Sequence, residues 1–243
     1  MKKLLWTLSL SLASFCSFSQ SVNEPYSFPV RPGTKAWAEL TTYQARLNAY
    51  NVPQDVLRKM STKALVETCL AYPEFRLVMT RNDLQQGYTY VRSIFNGFIE
   101  LESRVDAGQE LLKVYQQLNP DDIIRYETLL AKGQFSFRFI YLELLLAQKT
   151  ILDNASVSDK KVLIQQCISN YQKKERLPQE NHLFELSTPV WVASRVLDSA
   201  NNTKLAAKRE ADIVYRRFVD LAFCTNKSIL DEIINLSKQY ANE

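Results

Sequence analysis

The chain has 243 residues, 46% of them hydrophobic, with one histidine, five glycines, four cysteines and a formal net charge of +4. A single histidine excludes His-Glu-x-x-His, paired-histidine and finger-type zinc sites, and no metal or cofactor is expected. The five glycines are too scattered to build a Walker A or Gly-x-Gly-x-x-Gly loop, and near-neutrality removes the electrostatic case for nucleic-acid binding.

Met1-Lys2-Lys3 leads into Leu4, Leu5, Trp6, Leu8, Leu10 and Leu12, then Ser17-Phe18-Ser19. A basic end, a short apolar stretch and small residues two apart form the layout of a secretory signal, expected to cover residues 1–19 and to be cut after Ser19. The stretch is shorter than the roughly 20 apolar residues that a membrane span needs, so export to the periplasm or cell surface is expected, with no transmembrane segment. Cys16 raises a lipid anchor, but Phe15 stands where lipoprotein processing takes a small residue. Loss of Lys2 and Lys3 with the leader lowers the net charge from +4 to +2.

Residues 20–33 carry Pro25, Pro29 and Pro32 between Tyr26, Phe28 and Val30, the composition of an extended arm. Residues 34–243 read as a single all-helical domain of nine to eleven short helices. Trp37, Leu40, Tyr43 and Leu47 share one face of a helix that opens at Thr34 and stops before Pro53. Leu65, Val66, Cys69 and Leu70 follow a cap at Ser61 or Thr62 and end before Pro73. Leu84 to Leu101 forms another helix, with a bend or break expected at Asn96-Gly97 because each glycine costs about 1 kcal/mol relative to alanine. Asn119-Pro120-Asp121-Asp122 reads as a helix start: cap, proline, then two acids against the dipole.

From Phe135 to Leu152 the chain is apolar nearly all round, which marks the central helix of the fold. Further helices are expected from Ser158-Asp159, from Thr188-Pro189, across Thr203 to Cys224, and from Ser228. Their spacing is irregular, so the fold class is all-α: an irregular, solenoid-like array of helical hairpins or a helical bundle. Cys69, Cys167 and Cys224 each lie in an apolar helical pattern, where a thiol fills core.

Few motifs carry chemistry. His182 lies in a polar connector with no Gly-x-Ser-x-Gly elbow to serve, and Ser158-x-x-Lys161 lacks the companion elements of the penicillin-binding enzymes and reads as a cap. The carboxylate neighbours Asp121-Asp122, Glu100 with Glu102, and Asp231-Glu232 point apart on a helix. Asp198-Ser199-Ala200 has the form of a bacterial O-glycosylation acceptor. Amides, aromatics and charges concentrate around Gly87 and Gly97, so Arg81, Asn82, Asp83, Gln86, Tyr88, Tyr90 and Asn96 are the expected lining of a binding groove.

Phe28-Pro29-Val30-Arg31-Pro32-Gly33-Thr34, Met60 to Leu70 and Phe95-Asn96-Gly97-Phe98 resemble segments of a group of uncharacterised secreted bacterial proteins. The resemblance covers about the first half of the exported chain and implies a helical fold and export; it brings no activity. The function expected is a non-catalytic binding or scaffold protein of the bacterial envelope, with an envelope protein, peptide or glycan as partner. The alternative is a carboxylate-dependent hydrolase of envelope or dietary polymer, which requires two facing carboxylates in a cleft.

Overall fold

The structure, a computed structural model, describes residues 23–242; the leader, its expected cut and Cys16 lie outside them. The described residues form fourteen α-helices and two 3-10 helices and no strand. Residues 23–33 have no regular structure and are pinned to the body. The Tyr26 amide donates to Thr68 Oγ1 at 2.9 Å, and the buried Phe28 ring meets Tyr50 edge-on.

The helix expected from Thr34 is two helices, α1 (Lys35–Ala38) and α2 (Tyr43–Asn48), because Thr42 starts a new one by accepting from the Ala45 amide. After Pro53 come α3 (Gln54–Lys59) and α4 (Thr62–Leu70), the latter capped by Ser61 and fully burying Leu65, Val66 and Cys69. A 3-10 helix over Phe75–Thr80 precedes α5 (Leu84–Ile94) and α6 (Asn96–Ser103).

The break between α5 and α6 is held by Asn96. Its carboxamide accepts from Val52 N at 3.0 Å and donates to Val52 O at 2.8 Å, so the side chain acts as a piece of backbone for the residues before α3. Gly87 serves a different need. A methyl there would lie 2.1 Å from the Val78 carbonyl oxygen, so only glycine lets α5 cross the 3-10 helix this closely.

After α7 (Ala107–Gln117), Asn119 caps a single 3-10 helix, Pro120–Arg125, in place of the expected longer helix. The backbone extends at Tyr126, and Thr128 caps α8 (Leu129–Leu146), which takes Gly133 into its interior. Then follow α9 (Lys149–Asp153) and α10 (Val157–Glu175), whose cap is Ser156, not Ser158. Helix α11 (Leu183–Ser199) begins five residues before Thr188 and runs through Pro189. The run from Thr203 is split into α12 (Thr203–Ala211) and α13 (Ile213–Leu221) by Asp212, whose carboxylate accepts from Val214 N. Helix α14 (Lys227–Asn242) closes the described chain.

One hydrophobic cluster extends from Phe28 to Leu236. Helices α4, α5, α6 and α7 pack together in the first half, α10, α11 and α14 in the second, and α8 touches members of both groups. The central helix is α11, not α8. It contacts α8, α9, α10, α12, α13 and α14, and its Val190, Trp191, Val192, Ala193, Val196 and Leu197 are fully buried. Trp191 also donates Nε1 to the Val219 carbonyl at 2.9 Å, which satisfies the one polar atom of a side chain whose burial contributes about 3 kcal/mol. Helix α8 is enclosed only in its C-terminal half.

Candidate functional site

The N-terminal half of α8 emerges from the core with apolar side chains uncovered. Leu129, Leu130 and, just before it, Ile124 are 89%, 73% and 66% exposed. Leu129, Lys132, Gly133, Ser136, Phe137 and Ile140 follow the three-and-four spacing of one helical stripe, and this stripe lines a furrow of about 370 Å³. Met79, Ile123 and Phe184 help form the rest of its wall.

Gly133 is the telling position. A Cβ built on it would have nothing within 4 Å, in contrast to Gly87. Glycine inside a helix costs about 1 kcal/mol relative to alanine, and here the protein's own packing gives no reason for it. The furrow therefore carries a flat, side-chain-free strip of helix at its middle.

Its polar rim is largely self-neutralised. Lys132 meets Glu180 at 2.5 Å, and the Glu185 carboxylate accepts from the amide of His182, the exposed residue that precedes α11. At Met79 and Phe184 the furrow meets a second hollow of about 210 Å³, lined by Arg81, Asn82, Asp83, Phe223 and Cys224 among others.

The structure thus divides the seven residues singled out in the sequence. Arg81, Asn82 and Asp83 line this second hollow, and the Arg81 guanidinium lies 3.8 Å over the Tyr90 ring. Asp83 also caps α5 through the Gln86 amide, and Gln86 itself is exposed. Tyr88 and Asn96 belong to the interior. Tyr88 is 2% exposed, and its hydroxyl donates to Glu102 at 2.5 Å; burial, reinforced by that carboxylate, pushes its phenol well above the usual range. Asn96 is committed to Val52. Met79, Gly133, Phe137, His182 and Phe184 were not foreseen, because the segment around Phe137 reads as apolar on all sides.

Behind the furrow, Ser136 and Glu185 lead to a hollow with room for about one water, closed at its base by Lys174. Lys174 bonds both oxygens of the fully buried Glu143 at 3.2 Å, and Tyr115 and Thr188 donate their hydroxyls to the same carboxylate. The Phe139 ring lies 5.0 Å from the ammonium. Burial, reinforced by Glu143, pushes the Tyr115 phenol well up. With every acceptor position engaged, this cluster is a clasp joining α7, α8, α10 and α11.

The carboxylates at these hollows are each occupied: Asp83 by an amide, Glu180 by Lys132 and Glu185 by an amide. The adjacent acid pairs are likewise divided among separate cations, Asp121 to Arg176, Asp122 to Arg125, Glu100 to Arg104, Glu102 to Arg92, Asp231 to Lys227 and Glu232 to Lys208. Ser199 of the acceptor-like triplet donates to the Val196 carbonyl within α11. Among the described residues no three His, Cys, Asp or Glu side chains gather as metal ligands, and no helix is long and apolar enough to cross a membrane.

Comparison with protein families, with curated proteins and with solved structures finds no match to this chain. The class that the fold itself defines is an all-α, multi-helical protein.

Proposed function

We propose that this is an exported helical binding protein of the bacterial envelope, and that the furrow along α8 takes one amphipathic helix of a partner protein. The observation that carries the reading is the α8 stripe with Gly133 at its centre, an apolar helical face left open at the one position where glycine lets another backbone approach. Helix-in-groove recognition uses apolar contacts at three- and four-residue spacing, and Leu129, Gly133 and Phe137 lie four residues apart along the wall of the furrow. Exposed, contiguous apolar surface of this kind marks interaction sites in proteins that meet water. The basic, apolar and small-residue succession over residues 1–19 supports export.

The test is selection of helical peptides from a displayed library on the folded protein, followed by NMR mapping. Binders are expected to carry apolar residues at i, i+4 and i+7 and to shift resonances of Leu129, Phe137 and Phe184. Gly133→Gln, whose Cβ would have nothing within 4 Å, puts a side chain on the strip and is expected to weaken them at least about tenfold. Peptides that bind this variant equally well, or that shift residues elsewhere, overturn the reading.

A further inference from the structure

A second, independent site lies farther along α11, toward its C-terminal end. Lys149 and Asp153 of α9 and Arg195 and Asp198 of α11 surround a polar hollow of about 310 Å³, with Ser199 and Asn201 also on its wall. Pockets for small ligands start at roughly this size, which suits a molecule of one residue.

Arg195 gives the hollow its chemistry. Its Nε donates to the Ala147 carbonyl at 3.1 Å, an acceptor at the end of α8 that fixes the plane of the guanidinium. That is its one hydrogen bond among the described residues, and no carboxylate pairs with it. Neighbouring Arg209 is gripped by both Asp198 and Asp220, and Arg92, Arg104 and Arg138 each hold a glutamate. Burial works against the Arg195 charge and outweighs the attraction of Asp198 and Asp220, holding its pKa below the usual value. An oriented guanidinium with two unoccupied amino groups, set in a hollow, is a fork for a carboxylate.

The surrounding charges narrow the ligand further. Asp153 and Asp198 both face the hollow, so phosphate or another polyanion meets two acids there. Asp198 is already taken by Arg209. Asp153 is held only by Lys149, at 2.6 Å with the two side chains 76% and 51% exposed, the kind of surface pair that contributes about 0.5 kcal/mol and gives way easily. A ligand with a carboxylate for Arg195 and a cation for Asp153 answers both ends.

We propose that this hollow binds a free α-amino acid, its carboxylate forked on Arg195 and its ammonium set against Asp153. The site does not rest on the furrow at α8, and either stands without the other.

Calorimetry and NMR on the whole exported chain, with the common amino acids offered singly and acetate, methylamine and inorganic phosphate as controls, test it. At least one amino acid is expected to saturate the Arg195 side-chain resonance, with acetate weaker by about tenfold for want of the ammonium contact. Arg195→Gln removes binding of both. Arg195→Lys keeps the charge but loses the fork, and is expected to weaken the amino acid about tenfold as well. Asp153→Asn weakens the amino acid and leaves acetate unchanged. Thermal unfolding by circular dichroism establishes that each variant is folded. No saturable amino acid, phosphate binding tighter than every amino acid, or undiminished affinity in both Arg195 variants overturns the proposal.

Discussion

Lys174 donates to the backbone carbonyl of Glu185 at 3.0 Å, the acceptor four residues before Pro189. In an unbroken helix the amide of residue 189 would serve that carbonyl, and proline has none. The ammonium of α10 replaces the missing donor, Glu143 compensates the charge that this brings into the core, and the Tyr115 and Thr188 hydroxyls satisfy the rest of that carboxylate. A proline in the middle of the most buried helix and a buried ion pair are thus one device.

Removing half of it is expected to be costly. Lys174→Met leaves the buried Glu143 carboxylate without its cation and Glu185 O with only the long 3.4 Å contact from the Thr188 hydroxyl, and urea unfolding should show a loss of about 3–5 kcal/mol. Adding Glu143→Gln removes the orphaned charge, so the double variant should be more stable than Lys174→Met alone. Adding Pro189→Ala to Lys174→Met restores an amide for the carbonyl and should return about 1 kcal/mol. Equal stabilities across the series would mean that the three residues act separately.

The two interior glycines should answer opposite ways to the same change. Gly87→Ala drives a methyl into the Val78 carbonyl, and since that carbonyl is backbone and a Cβ has no rotamer to escape by, the crossing of α5 must open, at about 3 kcal/mol. Gly133→Ala meets nothing and should stabilise by about 0.5–1 kcal/mol through helix propensity. Thermal and urea unfolding of the pair measure the difference directly. A destabilised Gly133→Ala would show that α8 needs glycine for its own sake, and would remove the reason for reading the strip as a contact surface.

How much of this the sequence discloses depends on whether the deciding force is local. The α4 cap and its apolar spacing are short-range, and Ser61, Leu65, Val66 and Cys69 fall where the pattern puts them. The start of α11 is hidden because Lys174 rescues Pro189 from another helix, and a rule for proline in isolation then places the boundary too late. The furrow is hidden for the opposite reason. Its stripe on α8 continues without a change of composition into the buried half of the same helix, so periodicity marks an apolar face and leaves open which turns find a neighbour. Arg81, Asn82 and Asp83 stood out by composition, yet Tyr88 and Asn96 stood out for the same reason and are spent on packing.

The thiols should separate by burial. Cys69 and Cys167 are fully enclosed and unpaired, and desolvation pushes both thiols well up, whereas Cys224 is only partly buried at the hollow beside Arg81 and desolvation raises its thiol less. A disulfide-exchange reagent at pH 8 should label Cys224 in the folded protein at least about 100-fold faster than the other two, which become reactive only on opening of the core. Peptide mapping after a short pulse assigns the label. Early labelling of Cys167 would mean that the Glu143 clasp opens readily.

Acid should loosen the last helix before the core. Burial pushes the Asp231 carboxyl up, but hydrogen bonds from Lys227 and Tyr171 outweigh it and leave the pKa below the usual carboxylate value. Glu232 is held low by Lys208 and Tyr215. A carboxylate depressed on folding stabilises above its unfolded pKa and loses that contribution as pH falls through its folded one, so the loss begins below about pH 4.5 and deepens toward pH 3. Both side chains are about half exposed, which limits the effect to a few tenths of a kcal/mol each. Because the two acids tie α14 to α10, α12 and α13, hydrogen exchange in α14 should rise over that interval ahead of exchange in α11. Asp231→Asn with Glu232→Gln should flatten the pH dependence between 5 and 3. An unchanged slope in that double variant would assign the acid sensitivity to other carboxylates.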